Sequence, residues 1–292
     1  MIRPDFLPFG RPNFTSEEID AVTRVIASGW IGMGPETLTF EEELARDLDV
    51  PFVVTVNSCT SALFLSLLAS GVGRGDEVIC PSLTWCSTAN AALYLGAIPV
   101  FCDVDPATLC ATPDSVREKL SPRTKAVIVV HFGGLSANVD GIRSALPDGV
   151  VLIEDAAHAF GASLANGRRV GASGNLTCFS FYANKNLSTG EGGAVALGDE
   201  GTAARLRSLR LHGLPADAWK RFSNPAGRFA TELGELGYKM NYTDLQAAIG
   251  RVQLRRQSEL LSIRLTIAKY YRASLSALNI GIGFQQGITE PN

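Results

Sequence analysis

The sequence predicts an α/β fold in which a parallel sheet is sandwiched between helices. Two observations carry that expectation. EVIC (77–80), IPVFCDV (98–104), KAVIVV (125–130) and VVLIED (150–155) are short, β-branched and almost continuously apolar. Strands without polar alternation are buried on both faces, as in parallel sheets covered by helices. Helical segments around 85–95, 113–120 and 138–145 separate these runs, which is the alternation that parallel strand connections need.

The flanking elements follow in order. Thr15-Ser16-Glu17-Glu18 fits a capping box, and Ile19, Val22, Val25 and Ile26 continue at helical spacing to a stop at Gly29. Phe40, Leu44 and Leu48 mark a second helix, and PFVVTV (51–56) a first strand. NSCTSALFLSLLASG then reads as a polar opening and a helix closing on Gly71. Further strands are expected at LTCFSF (176–181) and GGAVAL (192–197), before a helix at about 199–211. Residues 213–235, richer in Gly, Pro and charge, read as an excursion. Thr243-Asp244-Leu245-Gln246 matches another capping box and opens a long helical stretch to about Leu278. The expected division is an N-terminal arm and large α/β domain over 1–242, then a long helix and the start of an incomplete C-terminal domain over 243–292.

Composition narrows the function classes. The 292 residues are 46% hydrophobic and 19% charged, which suits a globular enzyme with a substantial core. A formal charge of -3 gives no basic footprint for nucleic acid. There is no apolar run of about 18 residues to span a membrane, and MIRPDFLPFGRPNF lacks the apolar stretch of a secretory signal. Cytoplasmic location is the expectation. Six scattered cysteines read as buried thiols in a reducing compartment, because Cys80 and Cys86 are spaced too widely for a usual zinc pair. Phosphate-loop, dinucleotide and serine-hydrolase signatures are absent.

Three segments carry chemistry. In CFSFYANKNLSTGEGGAVAL, Lys185 stands between a buried strand and a turn containing Gly190, Gly192 and Gly193. Alone it would read as a surface lysine; beside glycines that admit a close approach, it reads as a desolvated amine able to act as a nucleophile. In VVLIEDAAHAFGA, Asp155 ends a buried strand, where ligands bind in open α/β sheets. A carboxylate there suits the ring nitrogen of pyridoxal phosphate (PLP), which must stay protonated for the ring to accept electrons. His158, three residues on, reads either as a second ring contact or as a satisfied core histidine. Thr60 and Ser61 open a helix, and their hydroxyls and backbone N–H groups make either an ordinary cap or a phosphate cradle. Trp85, after a strand, offers its indole face to a flat cofactor or to the core.

These segments, in this order, resemble the DegT-type family of PLP-dependent nucleotide-sugar aminotransferases. The likeness runs from Phe9-Gly10-Arg11-Pro12 through SGWIGMGPETLTFEEELA, NSCTSAL, GDEVICPSLTWCSTANAALYLGAIPVFCDVD, EDAAHAFGA, FSFYANKNLSTGEGGA, LRLHGL and LGYKMNYTDLQAAIG to about Leu278. The resemblance implies a fold type I PLP-transferase, with a mixed, mostly parallel sheet flanked by helices and a C-terminal small domain that is truncated here. It implies Lys185 as the cofactor-bonding and proton-moving lysine, Asp155 as the pyridinium partner and His158 as a contact of the ring hydroxyl. Thr60, Ser61 and Ser180 match phosphate ligands, Trp85 the stacking aromatic, and Asn241 an asparagine that reaches the phosphate of a neighbouring subunit. A homodimer with a shared site is therefore expected. So are glutamate as amino donor and a UDP-4-keto sugar as acceptor, as in the subgroup forming UDP-4-amino-4-deoxy-L-arabinose. Cys59 stands where a glycine is common. Two rival readings are a PLP-dependent sugar dehydratase, whose family pattern has histidine in place of Lys185, and a non-catalytic paralogue that binds PLP or a sugar nucleotide.

Overall fold

Seven strands line up in the order β1-β7-β6-β5-β4-β2-β3. The architecture comes from a computed structural model that describes residues 5, 6, 8, 10–214, 233–278 and 280–287; most of the 213–235 excursion lies outside the described residues. The strands are β1 (Phe52–Val56), β2 (Glu77–Pro81), β3 (Ile98–Cys102), β4 (Thr124–Val130), β5 (Val151–Asp155), β6 (Leu176–Ser180) and β7 (Gly193–Leu197). β7 pairs antiparallel with both β1 and β6, while the pairs from β6 through β3 are parallel. Six strands therefore share one direction and β7 runs against them.

Burial on both faces explains the near-continuous apolar strands. Val127 and Val129 of β4 point to one layer, with Phe40, Leu44, Phe179 and Phe181. Ala126 and Ile128 point to the other, with Val54, Ile153 and Val195. The central helix of that second layer is α3 (Cys59–Ala69), whose residues Ser61–Leu67 are all buried. A helix apolar on every side belongs inside a layered core. β3 departs from the pattern: Ile98 and Phe101 are exposed, because β3 pairs only with β2 and forms the sheet's edge.

The remaining helices are α1 (Ser16–Ser28), α2 (Pro35–Leu48), α4 (Cys86–Leu93), α5 (Pro113–Arg117), α6 (Val139–Ala145), α7 (Glu200–Leu209), α8 (Asp244–Arg255) and α9 (Gln257–Ala277). Both expected capping boxes form, at Thr15 with Glu18 and at Thr243 with Gln246. The long C-terminal helix is broken in two at Arg256, whose backbone (φ -90, ψ 4) leaves the helical basin. Its guanidinium instead reaches Asn13, Glu18 and Glu259, which holds the corner.

Helix α2 is capped from across the chain. Its N-cap residue, Gly34, has no side chain to offer. The Asp244 carboxylate, at the start of α8, accepts from Gly34 N–H at 2.7 Å, Thr37 N–H at 3.0 Å and the Thr37 hydroxyl at 2.7 Å. A carboxylate at a helix N-terminus satisfies orphan donors and meets the positive end of the dipole. α8 is joined further to α1 by Ala21 and Val25 against Ala248 and Val252.

Candidate active site

Strand direction decides where polar groups collect. Asp155 and Ser180 end β5 and β6, Asn57 and Ser58 follow β1, and Trp85 follows β2. Gly193 begins the reversed β7 and pairs with Ser180, so it lies on the same edge. All of them meet at the carboxyl ends of the parallel strands.

Asp155 is buried, and its carboxylate is held in place. Oδ2 accepts from the Thr88 hydroxyl at 2.8 Å and Oδ1 from Ala157 N–H at 3.2 Å. The Cys59 thiol lies 3.9 Å from Oδ1, and burial followed by the charge of Asp155 pushes its pKa well up, so it stays a thiol. The position often occupied by glycine therefore carries a neutral, weakly donating group beside the carboxylate.

Lys185 is half-buried in the loop between β6 and β7. Burial lowers its pKa, outweighing the nearby Asp155 carboxylate, which acts to raise it. Its backbone is fixed at both ends: Lys185 N–H donates to Tyr182 O at 2.9 Å, and Arg264 Nη2 donates to Lys185 O at 2.9 Å. The glycines close this loop. A Cβ on Gly192 (φ +152) would meet the Tyr242 ring at 2.6 Å, and one on Gly193 would meet the Cys59 nitrogen at 2.6 Å. Tyr242, fully buried, also donates to Thr189 Oγ1 at 2.6 Å. Close approach, rather than flexibility, is what these glycines provide.

Helix α3 presents its N-terminus at this edge. Ser58 is the N-cap, accepting from Ser61 N–H at 3.1 Å, and the buried Ser61 hydroxyl donates to Asn57 Oδ1 at 2.6 Å. The N–H groups of Cys59 and Thr60 lead the helix, where there is no intrahelical acceptor. Thr60 is half-buried, and Ser180 is buried with a long contact of 3.4 Å from Tyr182 N–H to its hydroxyl. The capping and cradle readings are compatible, because Ser58 does the capping.

Exposure decides against the core reading of both rings. Trp85 is 77% exposed, so its indole does not pack in the core. His158 is exposed too, its ring edge against Phe132 at 6.4 Å between centroids. Desolvation by its surroundings, then the charge of Lys185, draws its pKa below the ordinary imidazole range. The satisfied core histidine of the chain is His131. It is fully buried and accepts Ala137 N–H on Nδ1 at 3.0 Å, so its Nε2 carries the proton toward Glu154 at 2.9 Å. Asn241 bridges Val56, and its amide donates to Tyr242 O at 2.8 Å. The bridge sets its backbone beside the end of β1. Cys80, Cys102, Cys110 and Cys178 are buried thiols, Cys59 is half-buried and Cys86 is exposed; all are free. Among the described residues no group of three acidic, Cys or His side chains could hold a metal.

Sequence reasoning missed Thr88, the role of Cys59 beside Asp155, and Arg264. Thr88 sits in the first turn of α4 after β2, a position type that faces the strand ends. For Arg264, 79 residues beyond Lys185 along the chain, no local pattern pointed to the loop.

Comparison with known proteins gives the same class. Residues 12–287 match the model of the DegT/DnrJ/EryC1/StrS aminotransferase family. SpsC, a spore coat polysaccharide biosynthesis protein of Bacillus subtilis, is 45% identical over 277 residues, covering 94% of this chain and 71% of that protein. The aminotransferase TlmJ of Streptoalloteichus hindustanus is 42% identical with a TM-score of 0.84, covering 93% of this chain and 72% of that one. The PLP-form of Spr1654 from Streptococcus pneumoniae is 30% identical with a TM-score of 0.84, covering 92% and 71%. The chain belongs to the DegT/DnrJ/EryC1/StrS aminotransferase family. It is a PLP-dependent aminotransferase of fold type I. The donor set suits PLP: a buried carboxylate, a half-buried amine of lowered pKa, and a helix N-terminus held close to β7.

Proposed function

We propose that the protein transfers an amino group from glutamate to a nucleotide-linked keto sugar, of the UDP-4-keto class, in cytoplasmic amino-sugar biosynthesis. The observation that carries the reading is the meeting of Lys185 and Asp155 at one sheet edge, beside the open N-terminus of α3. SpsC, a spore coat polysaccharide biosynthesis protein, supports the sugar class.

When bound, PLP supplies an electron sink for the pair released at the donor's α-carbon. Asp155 would hold the ring nitrogen protonated, its own orientation fixed by Thr88 and Ala157. Thr60, Ser61, Ser180 and the leading amides of α3 would hold the phosphate, at the end of a helix suited to anions. Trp85 would cover one ring face and His158 the ring hydroxyl side. Lys185 Nζ would anchor the cofactor, then take the proton from the donor's α-carbon. Its lowered pKa favours the free amine that both tasks require. Asn241 would complete the phosphate site of a partner copy, which makes the working form a homodimer. No described helix is long and apolar enough to cross a membrane.

The test is a two-stage assay on the PLP-loaded protein. Glutamate alone should release one equivalent of 2-oxoglutarate per site, and a UDP-4-keto sugar should then accept the amino group and restore the starting spectrum. Release of no 2-oxoglutarate would remove glutamate as donor. Release without reaction of any nucleotide-linked keto sugar would remove the proposed acceptor class.

A further inference from the structure

Helix α9 touches both loops that carry the proposed site. Gln257, Leu261 and Arg264 recur at i, i+4 and i+7 and so share one face. Gly161 lies under this face: a Cβ there would fall 2.7 Å from Leu261 Cδ1, and its φ of +88 is itself one that favours glycine. Asn186 Nδ2 donates to Phe160 O at 3.1 Å, which stitches the Asp155–Gly161 loop to the one holding Lys185. Arg264 completes the arrangement with its bond to Lys185 O at 2.9 Å. Arg264 forms no ion pair with a carboxylate among the described residues, and burial depresses its pKa. Its charge-assisted bond goes to a backbone carbonyl instead.

We infer that Arg264 is a positioning residue for Lys185, clamping the lysine's backbone so that the aim of Nζ depends on the seating of α9. The carbonyl of residue 185 and its N–H, bonded to Tyr182 O, are the two ends of the peptide frame from which the side chain projects. With the guanidinium gone, only the N–H end is held. A displacement of about 1 Å at a reacting group costs on the order of a hundredfold in rate. The inference rests on the reading that Lys185 carries the chemistry.

The experiment compares wild type, Arg264→Ala, Arg264→Lys and Lys185→Ala as full chains. In the cofactor-free protein, hydrogen–deuterium exchange at the Lys185 amide should quicken about tenfold in Arg264→Ala, with the global unfolding midpoint little changed. In the loaded protein, kcat should fall about 10- to 100-fold with the glutamate KM within about threefold, and the pH midpoint of the cofactor band should move. Arg264→Lys, which keeps a cationic donor, should recover part of both effects. Unchanged exchange and an unchanged band midpoint would overturn the inference, as would a loss that tracks the unfolding midpoint alone. Lys185→Ala separates the two levels. If it keeps turnover, the reading of Lys185 fails; if it loses turnover while Arg264→Ala is silent, only the clamp fails.

Discussion

A lysine becomes a usable amine when its surroundings make the ammonium expensive. Desolvation does that to Lys185, against the pull of the Asp155 carboxylate. In the cofactor-free protein, acylation of Lys185 followed against pH should therefore show a midpoint below the ordinary lysine value of about 10.4. A midpoint at or above that value would leave the amine unactivated. Thr88 is the corresponding support for Asp155. A hydrogen bond to a charged group is worth about 1.5–3 kcal/mol, so Thr88→Val should weaken PLP binding or turnover by about ten- to a hundredfold. Thr88→Ser, which keeps the hydroxyl, should stay near wild type; equal losses in both variants would point to packing instead. Lys185 and Asp155 were legible in the sequence because each stands beside an unusual neighbour, a glycine-rich turn or the end of an apolar run. Thr88 and Arg264 were not, since a single bond across the fold leaves no periodic trace.

At the level of elements, several are stabilised by residues remote in sequence. Asp244 was read as part of its own helix's opening, and it is, but its carboxylate also caps α2. Asp244→Ala should cost about 2 kcal/mol, read as a lower urea midpoint with unchanged slope. A change under about 0.5 kcal/mol would mean that α2 does not depend on this cap. Strand β5 carries a second case. Glu154 faces the opposite layer from Asp155 and is buried with donors from His131, Ser173 and Asn175. Burial acts to raise its pKa, yet these bonds outweigh it and hold the carboxyl below its usual range. The stabilisation is thus complete above the unfolded carboxylate value of about 4.3 and is lost as pH falls through the folded value. Urea midpoints between pH 7 and pH 3 should fall more steeply for wild type than for Glu154→Gln; parallel curves would contradict the assignment. Strand runs and helix caps could be read because their signals are local. The break at Arg256 could not, because it depends on Asn13 and Glu18 arriving from the far end of the chain.

For the whole molecule, the reversed β7 matters most. It could be expected as a strand but not as an antiparallel one, since its residues are as apolar and as buried as those of its parallel neighbours. Reversal brings Gly193 to the sheet edge where Asp155 and Ser180 end, so the loop holding Lys185 needs only to turn back across that edge. Catalysis in this fold is therefore a matter of bringing strand ends, one helix start and one glycine turn to a common point. The central claim is that Lys185 is the residue that bonds the cofactor there. Treating the PLP-loaded protein with borohydride fixes that bond, and peptide mass spectrometry then locates it. The account predicts the cofactor's mass on the peptide containing Lys185 and no labelled peptide from Lys185→Ala; label on another lysine in a protein that turns over would contradict it.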